Sequence, residues 1–323
     1  MNGVPARLCR YRSLDESLFR REMDALKDSY LYAPSFRKMN DPMEGFYQLG
    51  GNEDYFLKTW LGAEDEYRKL HKMASDIFDR LAIISLSQTT LDYPLWAYYA
   101  SSFSGMCLEF DTSILQVGGL QGENLVKVVY QSEELPALGL MRFASESGRE
   151  ELVKRISIKR EEWAHEKEWR FVVGEEGKRY YRDDAIKRVL LGPKIDPRFE
   201  SEILELLSNR PVQVLKGSIE GMSMHFDVIQ DACELEKCER VGEGAFEPEN
   251  DLYGEEIKEF LKVPFERLVE KCKEISRLPN MDSFGGVGVS KERRLFLWTS
   301  YRLRSGTSAY ERVYFDEYLN PLG

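Results

Sequence analysis

A chain of 323 residues with 42% hydrophobic and 12% aromatic side chains can bury a sizeable core, as one large or two smaller domains, and excludes a disordered protein. Its 56 acidic and 45 basic residues leave a net charge of −11, which argues against nonspecific nucleic-acid binding over the whole surface but leaves room for a local basic groove. No apolar run approaches the ~18–20 residues of a membrane-spanning helix.

Residues 5–13 read as a strand with Arg10 and Arg12 on one face and Cys9 and Tyr11 on the other. A helix over 15–27 follows, capped by Ser13 or Asp15. Residues 34–44 form a turn-rich stretch in which Asn40-Asp41-Pro42 forces an extended or turned backbone. Residues 52–80 are helical and charged. Residues 81–87 make a strand, and a short helix carries Pro94-Leu-Trp-Ala-Tyr-Tyr-Ala100. Strands over 105–111 and 126–130 lead into a long helix over 146–165 and a strand over 168–173. Two further strands, 185–191 and 212–215, enclose a helix over 200–208. Residues 242–250, rich in Gly, Glu and Pro, read as a linker or long loop. Beyond it a helix over 254–277 precedes two aromatic-rich strands, 295–303 and 310–318. The expected class is α+β, since strands and crossover helices do not alternate regularly. The expected domains are a core over 1–240 and a C-terminal extension over 241–323.

The run Trp163-Ala-His-Glu-Lys-Glu-Trp-Arg-Phe-Val-Val173 marks a change from helical to strand periodicity. A strand starting near Glu166 puts Glu166, Glu168 and Arg170 on one face and sends the aromatic residues into the core. Two carboxylates so placed form either a chemical site or the solvated rim of a sheet. The N-terminus carries no signal-peptide core. Cys9, Cys107, Cys233, Cys238 and Cys272 read as reduced thiols of a cytoplasmic protein, and Cys233 with Cys238 lacks the second pair of a zinc site. Gly285-Gly-Val-Gly288 lacks the flanking pattern of a phosphate loop.

Three segments carry a family resemblance. Met39-Asn-Asp-Pro-Met-Glu-Gly45, Leu95-Trp-Ala-Tyr-Tyr-Ala100 with Gly105-Met-Cys-Leu-Glu-Phe-Asp111, and Trp163-Ala-His-Glu-Lys-Glu-Trp-Arg170 resemble ordered elements of the prokaryotic domain-of-unknown-function family 2971. The resemblance spans about residues 8–230. Met39 replaces the usual Phe, Tyr98 stands where a His is common, and Gln88 stands where an acid is frequent.

More distantly, the order Arg10 or Arg12, Ser85-Leu-Ser87, Glu166-Lys-Glu168 resembles the Arg, Ser-x-Ser, Glu-x-Glu layout of ADP-ribosyltransferases. That resemblance implies a split α+β sheet and NAD as substrate. Breaking the nicotinamide–ribose bond develops an oxocarbenium ion, which a fixed carboxylate stabilises. Glu168 would take that place and Glu166 would orient the nucleophile. Arg10 or Arg12 would pair with the pyrophosphate, with Ser85 and Ser87 supporting the nicotinamide side and Tyr98 or Tyr99 stacking on its ring. The acceptor would be a macromolecule, protein or nucleic acid, as in a toxin or anti-phage effector. Two other classes compete. One is a metal-dependent nuclease using Asp41, Glu44, Glu109, Asp111 and Glu168 with Lys127 or Lys167. The other is a non-catalytic sensor whose C-terminal segment meets a partner or a second copy.

Overall fold

The computed structural model describes residues 3–39, 41, 64–133, 136–137, 148–252 and 255–322. Its contacts divide the chain into two units: Met1–Tyr30, Tyr93–Gln121 and Arg179–Gly323 form the first, and Leu31–Asp92 and Gly122–Lys178 the second. Helices accompany mixed sheets, which makes the protein α+β. Among the described residues no helix is long and apolar enough to cross a membrane.

In the first unit, Arg7–Arg12 pairs antiparallel with Met106–Asp111, which pairs antiparallel with Ile186–Leu191. Ile186–Leu191 runs parallel to Gln213–Glu220, and helix Pro197–Leu207 crosses between those two strands. Pro at its first turn and the Asp196 side chain, accepting from Arg198 N, fix where that helix starts. Ser223–Gln230 closes the order as an edge strand, an element the sequence reading did not separate. Helix Tyr93–Tyr99 lies over Cys9, Tyr11, Cys107 and Leu190 through the fully buried Trp96, whose ring meets Tyr11 edge-on at 5.4 Å. Gly105 is required where the chain leaves this helix, because a Cβ there would stand 2.3 Å from the Arg12 carbonyl.

Residues from 241 onward belong to the same unit. Met281–Val289, Leu295–Arg302, Ser308–Phe315 and Pro321–Leu322 form an antiparallel meander. One of its faces packs on helices Glu255–Phe260 and Phe265–Ser276 through Ile257, Phe260, Leu268 and Cys272. The segment expected as a linker or loop is a loop up to Glu247, where the short helix Pro248–Asp251 begins, and it is pinned. Gly244 N and Ala245 N donate to the carbonyls of Met281 and Asp282, and a Cβ on Gly242 would stand 2.1 Å from Met281 O. Backbone pairing that glycine alone permits, rather than freedom, explains the composition.

The second unit is built on Glu168–Val173, flanked antiparallel by Ala82–Ser87 on one side and Asn124–Lys127 on the other. Phe36, Phe78, Ile83, Leu152, Ile156 and Val172 form its core. Within the expected helix over 52–80, the described part is Glu64–Arg80; residues 52–63 lie outside the described residues. The expected strand over 126–130 is two, Asn124–Lys127 and Val129–Tyr130.

The expected helix over 146–165 needs correction. It runs only over Gly148–Ile156, followed by the strand Ile158–Lys159, parallel to Val129–Tyr130, and a 3-10 turn over Glu161–Glu166. Two tertiary contacts end it. Arg170 Nη1 donates to the Ile156 carbonyl at 2.6 Å, and Gln131 N takes the Lys159 carbonyl at 3.0 Å. A guanidinium at a helix C-terminus satisfies an orphan carbonyl and complements the helix dipole.

Candidate functional site

The Glu-x-Glu pair straddles the join between the 3-10 turn and the strand. Lys167, between the two glutamates, adopts the left-handed conformation at φ 47° and ψ 48°, so Glu166 ends the turn and Glu168 begins the strand. From there the strand alternates, with Glu168, Arg170 and Val172 on one face and Trp169, Phe171 and Val173 on the other. The sequence pattern predicts a half-buried strand, yet all six residues are buried. Leu152 and Ile156 pack on the Val172 side, so the charged face is covered as well as the aromatic one. The glutamates are not a solvated rim: each is 4% exposed.

Buried carboxylates need cations, and the unit supplies two. Arg170 Nε donates to Glu168 Oε1 and Arg170 Nη2 to Glu168 Oε2, both at 2.8 Å. Lys159 Nζ donates to Glu166 Oε2 at 2.6 Å and to Glu168 Oε2 at 3.3 Å. Among the described residues, two anions and two cations offset one another, which is how a low-dielectric interior tolerates four charges. Burial alone would raise the Glu168 carboxyl, but Arg170 and then Lys159 outweigh it and hold the group below its ordinary range. Lys159 also lies 5.2 Å from the Trp163 ring centroid, and Trp163 Nε1 donates to Asp41 Oδ2 at 3.1 Å. Sequence pattern does not mark Lys159 or Tyr130 as site residues. Read as part of a long helix, Lys159 gives no hint that it turns inward. Glu168 N donates to the Tyr130 hydroxyl at 2.8 Å, and burial, with the Glu168 charge behind it, pushes that phenol up to about 12.

The serines stand where common-face periodicity expects them. Ser85 is opposite Arg170 and Ser87 opposite Glu168 in the antiparallel register, so all four side chains project to one side. Ser87 Oγ donates to the Glu166 carbonyl at 2.7 Å and accepts from Thr89 N, bracing the turn that carries Glu166. The Ser85 hydroxyl oxygen is buried and meets no full hydrogen-bond geometry, yet it lies close enough to help hold the Glu168 carboxyl down.

The remaining expected residues lie in the first unit. Arg12 Nε donates to Glu22 Oε2 at 2.6 Å, and its Nη2 reaches Oε1 of the same carboxylate. Arg10 shares the Arg12 face, and burial, then the Arg12 charge, pushes its guanidinium down to about 9. Tyr98 is 69% exposed, whereas Tyr99 packs against the cluster around Trp96, its carbonyl accepting from Ser13 Oγ. The acids of the metal reading are dispersed into other work. Glu109 pairs with Arg188, Asp111 caps the Thr112–Leu115 helix and pairs with Arg7, and Glu44 lies outside the described residues. Lys127 is exposed, and Lys167 forms the left-handed join. Among the described residues, no three His, Cys, Asp or Glu groups gather as metal ligands. Cys233 and Cys238 are free thiols.

The site is thus a buried four-charge cluster in an α+β protein, and the comparisons bear on the same strand. Residues 95–171, less than half of the chain, match the model of a family described as a protein of unknown function (DUF2971). The match takes in the elements at 95–100, 105–111 and 163–170; the element at 39–45 falls outside it. No curated protein matches the chain, and no solved structure matches it.

Proposed function

We propose that this protein is an ADP-ribosyltransferase-like enzyme that cleaves the nicotinamide–ribose bond of NAD and passes ADP-ribose to an acceptor. The observation that carries the reading is the cross-strand register of Ser85 and Ser87 against Arg170 and Glu168, which gathers the Ser-x-Ser element and Glu168 on one face. Three cationic contacts take three of the roughly four lone-pair directions of the Glu168 carboxylate. A ribose hydroxyl would take the fourth, in competition with the Ser85 hydroxyl that helps hold the carboxyl down. Held anionic by Arg170 and Lys159, Glu168 would stabilise the positive charge that develops on the ribose as nicotinamide leaves. Glu166, tied to Glu168 through Lys159, would orient the acceptor nucleophile. At 4% exposure the carboxylates are closed to solvent, so turnover requires this face to open. Five free cysteines suit a reducing cytoplasm, where an NAD-consuming effector would act as a toxin or in phage defence.

The test is nicotinamide release from NAD by the purified protein, with and without EDTA. Glu168→Gln should lower release by ~10²–10³-fold, the range for loss of one preorganised electrostatic contact. Ser85→Ala, which leaves the ion cluster intact, separates chemistry from folding: its release should fall while its melting temperature holds. Closure of the cluster favours one competing reading, a non-catalytic sensor, and NAD binding without nicotinamide release by the wild type would establish it. Activity abolished by EDTA would transfer the proposal to metal-dependent hydrolysis.

A further inference from the structure

The C-terminal meander buries one face and leaves the other open. Leu295, Leu297, Tyr301 and Phe315 fill the inner face. On the outer face, Phe296 and Trp298 stand opposite Tyr314 and Arg312 of the neighbouring strand, and Tyr310 follows on the same side. Trp298 and Tyr310 are 41% and 51% exposed, large rings where a solvated strand ordinarily carries small or charged residues. The Arg312 guanidinium lies 5.1 Å from the Phe296 ring centroid and 5.3 Å from that of Trp298. The strand on the far side offers Gly286 and Gly288 opposite Trp298 and Phe296, so no side chain from it covers the rings.

The charge around this platform opposes that of the chain. Arg302, also on this face, is matched by Asp282, while Arg312 stacks on the rings with no carboxylate ion-paired to it among the described residues. The hairpin between the first two strands of the meander carries Lys291, Arg293 and Arg294 against Glu292, all exposed. Flat aromatic faces interleaved with arginine are the chemistry that binds unpaired bases and their phosphates, and a duplex hides the faces such rings recognise. We infer that the outer face of this sheet binds single-stranded nucleic acid, with bases stacking on Trp298 and Tyr310 and Arg312 and the hairpin cations meeting the backbone. The inference is independent of the NAD reading, because it rests on neither glutamate nor serine.

The experiment is fluorescence anisotropy of the full-length protein with labelled oligothymidylate, with single-stranded RNA of mixed sequence, and with a DNA duplex of equal length, at low and at physiological salt. At least one single strand should bind ~10-fold or more tightly than the duplex, and Trp298→Ala with Tyr310→Ala should weaken that binding by ~10-fold or more. Trp298→Phe, which keeps a stacking ring, should recover part of the loss, and Arg312→Ala should reduce the salt dependence. No binding of either single strand, equal binding of the duplex, or a folded double variant that binds like the wild type would each overturn the inference. Should the double variant fail to fold, ultraviolet crosslinking of the wild type to the bound strand decides: adducts at Trp298 or Tyr310 support the platform, and adducts confined to other residues refute it.

Discussion

Lys159 is the residue on which the buried cluster turns, since it is the cation that touches both Glu166 and Glu168. Removing one member of such a cluster strands the others without compensation in a medium that cannot solvate them. Glu168→Gln should therefore cost about 3–5 kcal/mol of stability in urea unfolding, despite its near-identical shape. Exposed Glu162, paired among the described residues with Arg160, is the control: Glu162→Gln should leave the midpoint unmoved. The pH dependence has a definite sign. Glu168 is held below its ordinary value of 4.5 in the folded protein, so the folded state binds fewer protons than the unfolded one as the pH drops. Its contribution to stability is complete above about pH 4.5 and disappears as the pH falls through the depressed folded value. Urea midpoints measured from neutral to acid pH should fall less steeply for Glu168→Gln than for the wild type; parallel profiles would mean that the carboxylate is not held as described.

At the scale of elements, the join between turn and strand depends on one unfavourable backbone. A lysine at φ 47° pays a Cβ clash that glycine avoids, of about 1–2 kcal/mol. Lys167→Gly should relieve most of it, offset partly by the entropy of the unfolded glycine, and leave the protein as stable or more so. Lys167→Val, whose branched Cβ resists this conformation, should destabilise by more than that amount in the same urea assay. If both substitutions destabilise equally, the lysine side chain rather than its backbone secures the join. The neighbouring helix teaches the same lesson about local signals. Gly148–Ile156 continues into a charged sequence able to extend it, and it stops because its last carbonyl is taken by Arg170.

At the scale of the whole first unit, Asp183 joins the C-terminal segment to the rest. Its carboxylate accepts from Ser29 Oγ at 2.7 Å and from Arg304 Nη2 at 2.6 Å, and it lies 3.0 Å from Arg210 Nη1. Its backbone N donates to Asn280 Oδ1 at 2.6 Å. Next to it, Arg182 pairs with Asp184 and Glu311 and covers the Tyr301 ring at 3.7 Å. Asp183→Asn should cost about 3–5 kcal/mol by leaving two arginines short of their counter-ion. Removing residues 241–323 should lower the melting temperature of what remains, read by calorimetry, because Asp183 loses Arg304 while Arg210 remains. A truncated protein that melts at the full-length temperature would contradict this account.

The sequence by itself determined the α+β class, most of the strands, and, strand by strand, the face shared by Ser85 with Ser87 and the face shared by Glu168 with Arg170. Those features follow from hydrophobic period and from the two-residue repeat of a strand, which are local properties. It also marked 295–303 and 310–318 as strands, since their apolar and aromatic content had to be buried on at least one side. Tertiary structure alone decided the rest. Nothing local says that Lys159 turns inward, because a lysine after Ile158 reads equally well as the surface of a helix. Nor can period show whether the second face of Glu168–Val173 meets water or a helix, since alternation reports one buried face and is silent about the other. Helix Gly148–Ile156 settled that point, and with it the burial of the charged face, because desolvation is imposed by whatever packs on top. The Gly-rich stretch after 241 is the loop its composition indicates, but tertiary structure decided that it is held in place. Glycine signals freedom in an isolated chain, but here it answers a carbonyl of Met281 that leaves no room for a Cβ.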